Sequence, residues 1–169
     1  MIQKPSNPVI LVSILSVAVF IVGFDQLTKA LVLQHIPLGG SWTFWLPLAR
    51  LLQFTFVTNT GAAFGMFPQF GNIFMIVAIL VIGGIILFFH HLPTGNGWIR
   101  LSLGLQLGGA LGNLLDRINH GYVVDFVDIG FWPIFNVADL SIVCGVSILA
   151  YFLWDEEEFD AYANPSHPG

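Results

Sequence analysis

The chain has 169 residues, of which 56% are hydrophobic and only 9% charged, against roughly 45 to 50% apolar and 25% charged in soluble domains, so an ordinary soluble globular protein is excluded. Its net charge of −5 belongs to the end of the chain: Asp155, Glu156, Glu157, Glu158 and Asp160 fall there, while residues 1–154 carry five basic and five acidic groups. No basic stripe of the kind that nucleic acid requires is present, and a single cysteine, Cys144, excludes an intrachain disulfide.

The first apolar stretch, Pro8 to Phe24, is longer than the 7 to 15 residues of a cleaved signal's hydrophobic region. No small-x-small cleavage site follows it, and it runs straight into Asp25, so a retained first span is expected. A spanning helix needs about 20 mostly apolar residues, because about 30 Å of hydrocarbon is crossed at 1.5 Å per residue. Four segments qualify, at about 8–28, 70–89, 98–116 and 136–154. The third has only fifteen uncharged residues between Arg100 and Asp116, and depends on its flanking charges reaching out to the interfaces. Between the first two spans, the segment at about 39–67 is too polar and punctuated to cross. Within it Leu52, Phe54 and Phe56 alternate with Gln53 and Thr55 before Asn59, Thr60 and Gly61, which reads as a strand entering a turn. Trp42, Trp45 and Trp132 suit interfacial anchors. Cys144, inside the fourth apolar run, is expected to be a small buried packing residue. Residues 155–169 are acidic and then rich in Asn, Pro, Ser and Gly, and are expected to form a solvated, disordered tail. The expected fold class is therefore an all-α membrane protein of one domain, residues 1–154, with four transmembrane helices and a small β-rich cradle between spans one and two. Four spans put both termini on one side. Charge alone does not orient the chain, since Lys4 and Arg100 fall on one face and Lys29, Arg50 and Arg117 near the other.

An ionisable residue at the centre of a span costs roughly 2.5 to 3.5 kcal/mol, so each one demands a reason. Asp25 and Lys29, four residues apart with the acid first, suit a helical ion pair. In span three Gln106, Gly109, Asn113, Asp116 and Arg117 fall within an arc of roughly 100° at 3.6 residues per turn, which makes one face polar. Gly104, Gly108 and Gly112 recur at four-residue spacing on a neighbouring face, the arrangement that lets helix backbones approach closely. Beyond it come Asp125, Asp128 and Asp139. Asn136 can cap the fourth helix, which makes Asp139 its third residue, beside unpaired N–H groups and the positive end of the dipole. The 23 residues from Asp116 to Asp139 begin and end at one membrane face, so Asp125 or Asp128 can fold back toward Asp139. Two carboxylates sharing a site hold one proton between them near neutral pH: one then activates water and the protonated one polarises a scissile carbonyl. Spacing alone does not choose between Asp125 and Asp128, nor between intramembrane hydrolysis and a proton-coupled transporter, which also uses intramembrane carboxylates. His35, His90, His91, His120 and His167 show no HExxH-type spacing, so no metal or other cofactor is expected.

Five motif blocks, in order along residues 20–146, resemble the bacterial lipoprotein signal peptidases, the signal peptidase II family. They are Asp25-Gln26-Leu27-Thr28-Lys29; Asn59-Thr60-Gly61-Ala62-Ala63-Phe64-Gly65; Gly108 and Gly109 through Asn113 to Asp116-Arg117; Gly121-Tyr122-Val123-Val124-Asp125-Phe126; and Phe135-Asn136-Val137-Ala138-Asp139. The resemblance implies an aspartic endopeptidase with Asp125 and Asp139 as the catalytic dyad and Asp128 as a loop acid. It also implies a substrate groove lined by Asn59, Gly61, Asn113, Arg117 and Asn136, with Asp25, Lys29 and Asp116 as structural supports. It further implies a strand-rich cradle with a mobile helix, cytoplasmic termini in a bacterial plasma membrane, and an active site near the extracytoplasmic face. The implied partners are membrane lipids and prolipoproteins whose cysteine bears a diacylglyceryl group, cut on the amino side of that cysteine. Neither the residues nor the resemblance specifies an oligomeric state.

Overall fold

The computed structural model describes residues 7–44, 51–60, 71–88 and 96–163. Gly61 to Gly65 of the second motif, Trp45, Arg50, His90, His91 and His167 lie outside them. Four helices and three strands run in the order α1 (Asn7–His35), β1 (Ser41–Trp42), β2 (Gln53–Asn59), α2 (Gly71–Phe88), α3 (Gly97–His120), β3 (Val123–Asp128) and α4 (Val137–Ala163).

Apolar side chains occupy both the inside and the outside of the helices. Ile10, Ile14 and Ala18 of α1 pack with Ile99, Leu103 and Leu107 of α3 in a closed core. Val12, Val19 and Phe20 on the far side of α1, like Leu80 and Leu87 on α2 and Val143 on α4, are exposed. An apolar exterior of this extent has no rationale in water and is ordinary in lipid. α1 is long and apolar enough to cross a membrane from Pro8 to His35; α2 and α4 contain shorter apolar stretches, Met75–Leu87 and Val137–Phe152. Cys144 is exposed on α4, contrary to the expectation of burial, because an apolar run in such a helix covers the outer face as well as the inner one.

α3 is the hub, packed against α1, α2 and α4, and its glycines account for the closeness. A Cβ on Gly108 would stand 2.7 Å from the Ile21 Cβ and 2.9 Å from the Ala18 carbonyl oxygen of α1, distances no real Cβ sustains. Gly109 meets α4 in the same way, at the backbone carbonyl of Ala138. Gly108→Leu is accordingly expected to force α1 away and cost at least about 2 kcal/mol. Thermal unfolding in detergent checks this, and an unchanged midpoint would mean that the helices have room to part.

The sheet departs from expectation in one respect. Its order is β1-β2-β3, antiparallel throughout, so the cradle is not confined to the segment between α1 and α2: the connection from α3 to α4 supplies its third strand. The signal lies in Val123, Val124, Phe126 and Val127, β-branched and aromatic residues interrupted only by Asp125. Gly121, in the left-handed conformation at φ 80°, ends α3 by donating its N–H to the Arg117 carbonyl and turns the chain into β3. β3 sets Asp125 opposite Val57 of β2, and a return of the chain pairs Val127 with Phe135 just before α4. Val124 and Phe126 point to the other side of β3 and join Val32, Ile36 and Phe56 in a second core that fastens the sheet to the end of α1.

Two boundaries also differ. α1 continues past residue 28 to His35, because Lys29 is neutralised by partners in the interior. α4 continues past Trp154 to Ala163, so Asp155–Ala163 are helical where disorder was expected; a helix already nucleated by packing propagates readily through glutamates.

Candidate active site

Three elements deliver the polar cluster: β3 carries Asp125, the first turn of α4 carries Asp139, and the face of α3 between them carries Asn113. The start of α4 is organised by a reciprocal cap. The backbone N–H of Asp139 donates to Asn136 Oδ1 at 2.9 Å, and the backbone N–H of Asn136 donates to Asp139 Oδ2 at 3.3 Å, an arrangement that satisfies two end groups of the helix at once. With its oxygen so engaged, the fully buried Asn136 turns its Nδ2 toward Asp125 Oδ1 at 2.7 Å and Asn113 Oδ1 at 3.1 Å. One residue therefore bonds both carboxylates, Asp125 through its side-chain NH2 and Asp139 through its backbone N–H.

Each carboxylate receives a second amide donor. Asn113 Nδ2 donates to Asp139 Oδ1 at 2.7 Å, and Asn59 Nδ2, from the end of β2, donates to Asp125 Oδ2 at 2.9 Å. Burial first, and the nearby Asp139 carboxylate second, push the Asp125 carboxyl up to about 7, although the hydrogen bonds from Asn59 and Asn136 and the charge of Lys29 oppose the shift. Asp125 thus titrates near neutrality beside another acid, the condition for a pair that holds one proton.

Asp128 stands elsewhere. It lies at the end of the same strand, accepts from Gln53 Nε2 at 2.7 Å, Thr55 Oγ1 at 3.0 Å and the Gly130 N–H at 2.9 Å, and ties β3 to β2. Burial works against its charge, yet these bonds from Gln53, Gly130 and Thr55 together hold its carboxyl below the usual carboxylate range. It is a strand acid, not a loop acid.

Of the residues singled out in the sequence, Asp125, Asp139, Asn59, Asn113 and Asn136 form one hydrogen-bonded cluster. Arg117 is adjacent, its Nη1 donating to the Asn113 carbonyl at 3.2 Å, and Asp139, Asp125 and Asp116 are its electrostatic partners. Gly61 lies outside the described residues. Asp25, Lys29 and Asp116 sit directly behind the cluster as a buried triad, with Lys29 Nζ 2.8 Å from Asp25 Oδ2 and 2.9 Å from Asp116 Oδ2. Sequence reasoning passed over Gln26, whose Nε2 donates to Asp116 Oδ1 at 2.8 Å and bridges α1 to α3; its place beside Asp25 in the first motif was the available signal. Among the described residues no group of three or more His, Cys, Asp or Glu side chains is arranged to hold a metal ion.

A helical scaffold with an apolar exterior that presents a buried and a half-buried acid through a web of amides is the framework of a membrane-embedded aspartic hydrolase. The family model for signal peptidase (SPase) II matches residues 17–154. The chain is 39% identical over 143 residues to the lipoprotein signal peptidase of Halothermothrix orenii (84% of this chain, 95% of that one). It is 42% identical over 140 residues to that of Moorella thermoacetica (82% and 91%). Two solved structures of bacterial membrane enzymes, obtained by the in meso method, superpose closely. One has a TM-score of 0.79 at 29% identity, covering 100% of this chain and 98% of that one; the other has 0.75 at 32% identity, covering 90% and 97%. The chain belongs to the signal peptidase II family, a family of peptidases.

Proposed function

We propose that the protein is a membrane aspartic endopeptidase that removes the signal peptide from diacylglyceryl-modified bacterial prolipoproteins, cutting on the amino side of the lipidated cysteine, with Asp125 and Asp139 as the catalytic dyad. The observation that carries this reading is the buried Asn136, whose side-chain NH2 donates to the Asp125 carboxylate while its backbone N–H donates to that of Asp139. Both acids accept a hydrogen bond on each oxygen, but Asp139 also stands in the first turn of α4 at the positive end of its dipole, so it is the member suited to act as carboxylate and take a proton from water. Asp125, titrating at about 7, carries the shared proton and polarises the scissile carbonyl. Attack of the activated water gives a tetrahedral intermediate, and the proton accepted by Asp139 passes to the departing amine. No metal or other cofactor has a part in this sequence.

All four helices are read as spans. α1 is long enough by itself, the apolar stretches of α2 and α4 meet lipid on their outer faces, and α3 is enclosed by the other three. Both termini are then cytoplasmic in the plasma membrane, and the sheet and dyad lie toward the extracytoplasmic face. Asn59, Asn113, Arg117 and Asn136 form the groove for the signal peptide, in which Arg117 donates to its backbone carbonyls. The two acyl chains of the substrate stay in the bilayer while the scissile bond is offered near the interface, where water reaches the dyad.

A gel-shift cleavage assay on a diacylglyceryl-modified precursor, set against its unmodified form, tests reaction and substrate together. Only the modified form is expected to be cut, and cleavage of neither would reject the reading. In the same assay kcat/KM is expected to fall roughly tenfold per pH unit above about 7, because the proton needed on Asp125 is lost there. A level profile from pH 6 to 9 would contradict the protonation assigned to Asp125.

A further inference from the structure

The buried triad behind the dyad is connected to it at three points. Lys29 Nζ has three protons, and the structure directs them to Asp25 Oδ2, Asp116 Oδ2 and, at 3.2 Å, Asn113 Oδ1. An ammonium group only donates, so the Asn113 atom facing it must be the carbonyl oxygen. The amide nitrogen of Asn113 then points the opposite way, at Asp139 Oδ1. The two acids of the triad meanwhile grip the backbone. Asp25 Oδ1 accepts the N–H of Ala138 at 3.0 Å, and Asp116 Oδ2 accepts the N–H of Val124 at 2.9 Å. Ala138 and Val124 each immediately precede a dyad acid, so the triad spans the two backbones that carry Asp139 and Asp125.

We propose that Lys29 is a positioning residue for the reaction, acting through Asn113, whose amide it holds with the NH2 group toward Asp139, while Asp25 and Asp116 fix the spacing of the two dyad-bearing segments. This rests on the aspartic-peptidase reading above and adds to it a role beyond filling the interior. Asn113 Oδ1 also accepts from Asn136 Nδ2 at 3.1 Å, so without Lys29 one of its two donors is lost; the amide is then held less firmly and can turn over to set an oxygen against Asp139, which removes a donor from the carboxylate and disfavours the base form. The Lys29 ammonium is buried and its protons are taken up by Asp25, Asp116 and Asn113, so substrate affinity should hardly respond.

The test is a double-mutant cycle on purified protein with the diacylglyceryl-modified precursor, measuring kcat and KM separately for Lys29→Met, Asn113→Ala and the combination. Lys29→Met alone is expected to lower kcat about tenfold or more and to leave KM within about threefold. In the Asn113→Ala background the same change should alter kcat by less than about threefold, because its target is already gone. Losses that multiply in full would overturn the proposal, as would a loss confined to KM. Lys29→Met leaves two buried carboxylates without their cation, so Asp25→Asn/Lys29→Met/Asp116→Asn serves as the second variant. It strands no charge, and both asparagines keep an oxygen for the Ala138 and Val124 N–H groups. The triple variant is expected to stay folded with the same fall in kcat, and wild-type turnover in it would overturn the proposal. Failure of the unsubstituted protein to cut the precursor is a different result, which rejects the peptidase reading itself.

Discussion

Asp125→Asn and Asp139→Asn are each expected to leave a folded, membrane-inserted protein that cleaves a lipid-modified precursor about 10³-fold more slowly or worse. The shape of the side chain is kept in both. At position 125 the amide oxygen still accepts from Asn136, and at position 139 one oxygen remains for Asn113 or for the cap of α4. What disappears is the ability to exchange a proton, on which general acid and base chemistry depends. With the two acids working as one unit, as proposed, the double substitution should be hardly slower than either single one. Asp128→Asn is the matched control: it lies on the same strand with partners in the sheet, and should cut at a near-normal rate. Retained cleavage by either dyad variant would refute the assignment. The stability effect runs the other way. A carboxyl whose folded pKa is raised to about 7 stabilises the folded state fully below the ordinary carboxylate range, and this contribution is lost as pH rises through about 7. Asp125→Asn cannot ionise, so at pH 8 it should unfold at no lower temperature than the unsubstituted protein.

Much of this site could be read before any coordinates. Asn136 as a cap, with Asp139 three residues on, follows from helix-end chemistry, and it is realised as a reciprocal pair of bonds. The glycine ladder of α3 follows from spacing alone and meets α1 as small residues should. The placing of Asp125, and not Asp128, in the cluster with Asp139 did not follow from spacing, because both acids are close to Asp139 along the chain. It is made by strand alternation in β3 together with its register against β2, which brings the Asn59 side chain to Asp125 and those of Gln53 and Thr55 to Asp128. That pairing is long-range, and no local pattern encodes it. Lys29 shows the same limit. Its partner four residues back was legible, but Asp116 and Asn113, on another helix, were visible only as members of a polar face whose neighbour was unknown. Cys144 shows the reverse failure, in which a rule drawn from soluble cores misleads on a helix whose outer face is also apolar.

Asp116→Ala is expected to be the most damaging single substitution to stability among the polar residues of α3. The side chain is only 1% exposed and serves three partners: Lys29 Nζ at 2.9 Å, the Val124 N–H at 2.9 Å and Gln26 Nε2 at 2.8 Å. Removing one member of a buried ion pair costs about 3 to 5 kcal/mol, and a stranded buried donor adds about 1 to 3 kcal/mol. A protein with a total stability of about 5 to 15 kcal/mol loses much of its margin to such a change. The unfolding midpoint in a fixed detergent should fall by about 10 °C or more. Asp116→Asn should fall between Ala and wild type, since its oxygen can still take the Val124 N–H while its NH2 group faces a donor. The neutral triple substitution at Asp25, Lys29 and Asp116 should lie nearer wild type than Asp116→Ala, although it alters more side chains, because it leaves no buried charge alone. A midpoint for Asp116→Ala within about 2 °C of wild type would show that the triad's charges are solvated or loosely held. The contrast with the dyad is then complete in physical terms. The acids assigned to the proposed chemistry cost the fold stability when both are charged, and the acids behind them are tolerated in the interior only because Lys29 and backbone N–H groups satisfy them. Turnover should therefore be the first property lost when Asp125 or Asp139 is neutralised, and folding the first property lost when Asp116 is removed.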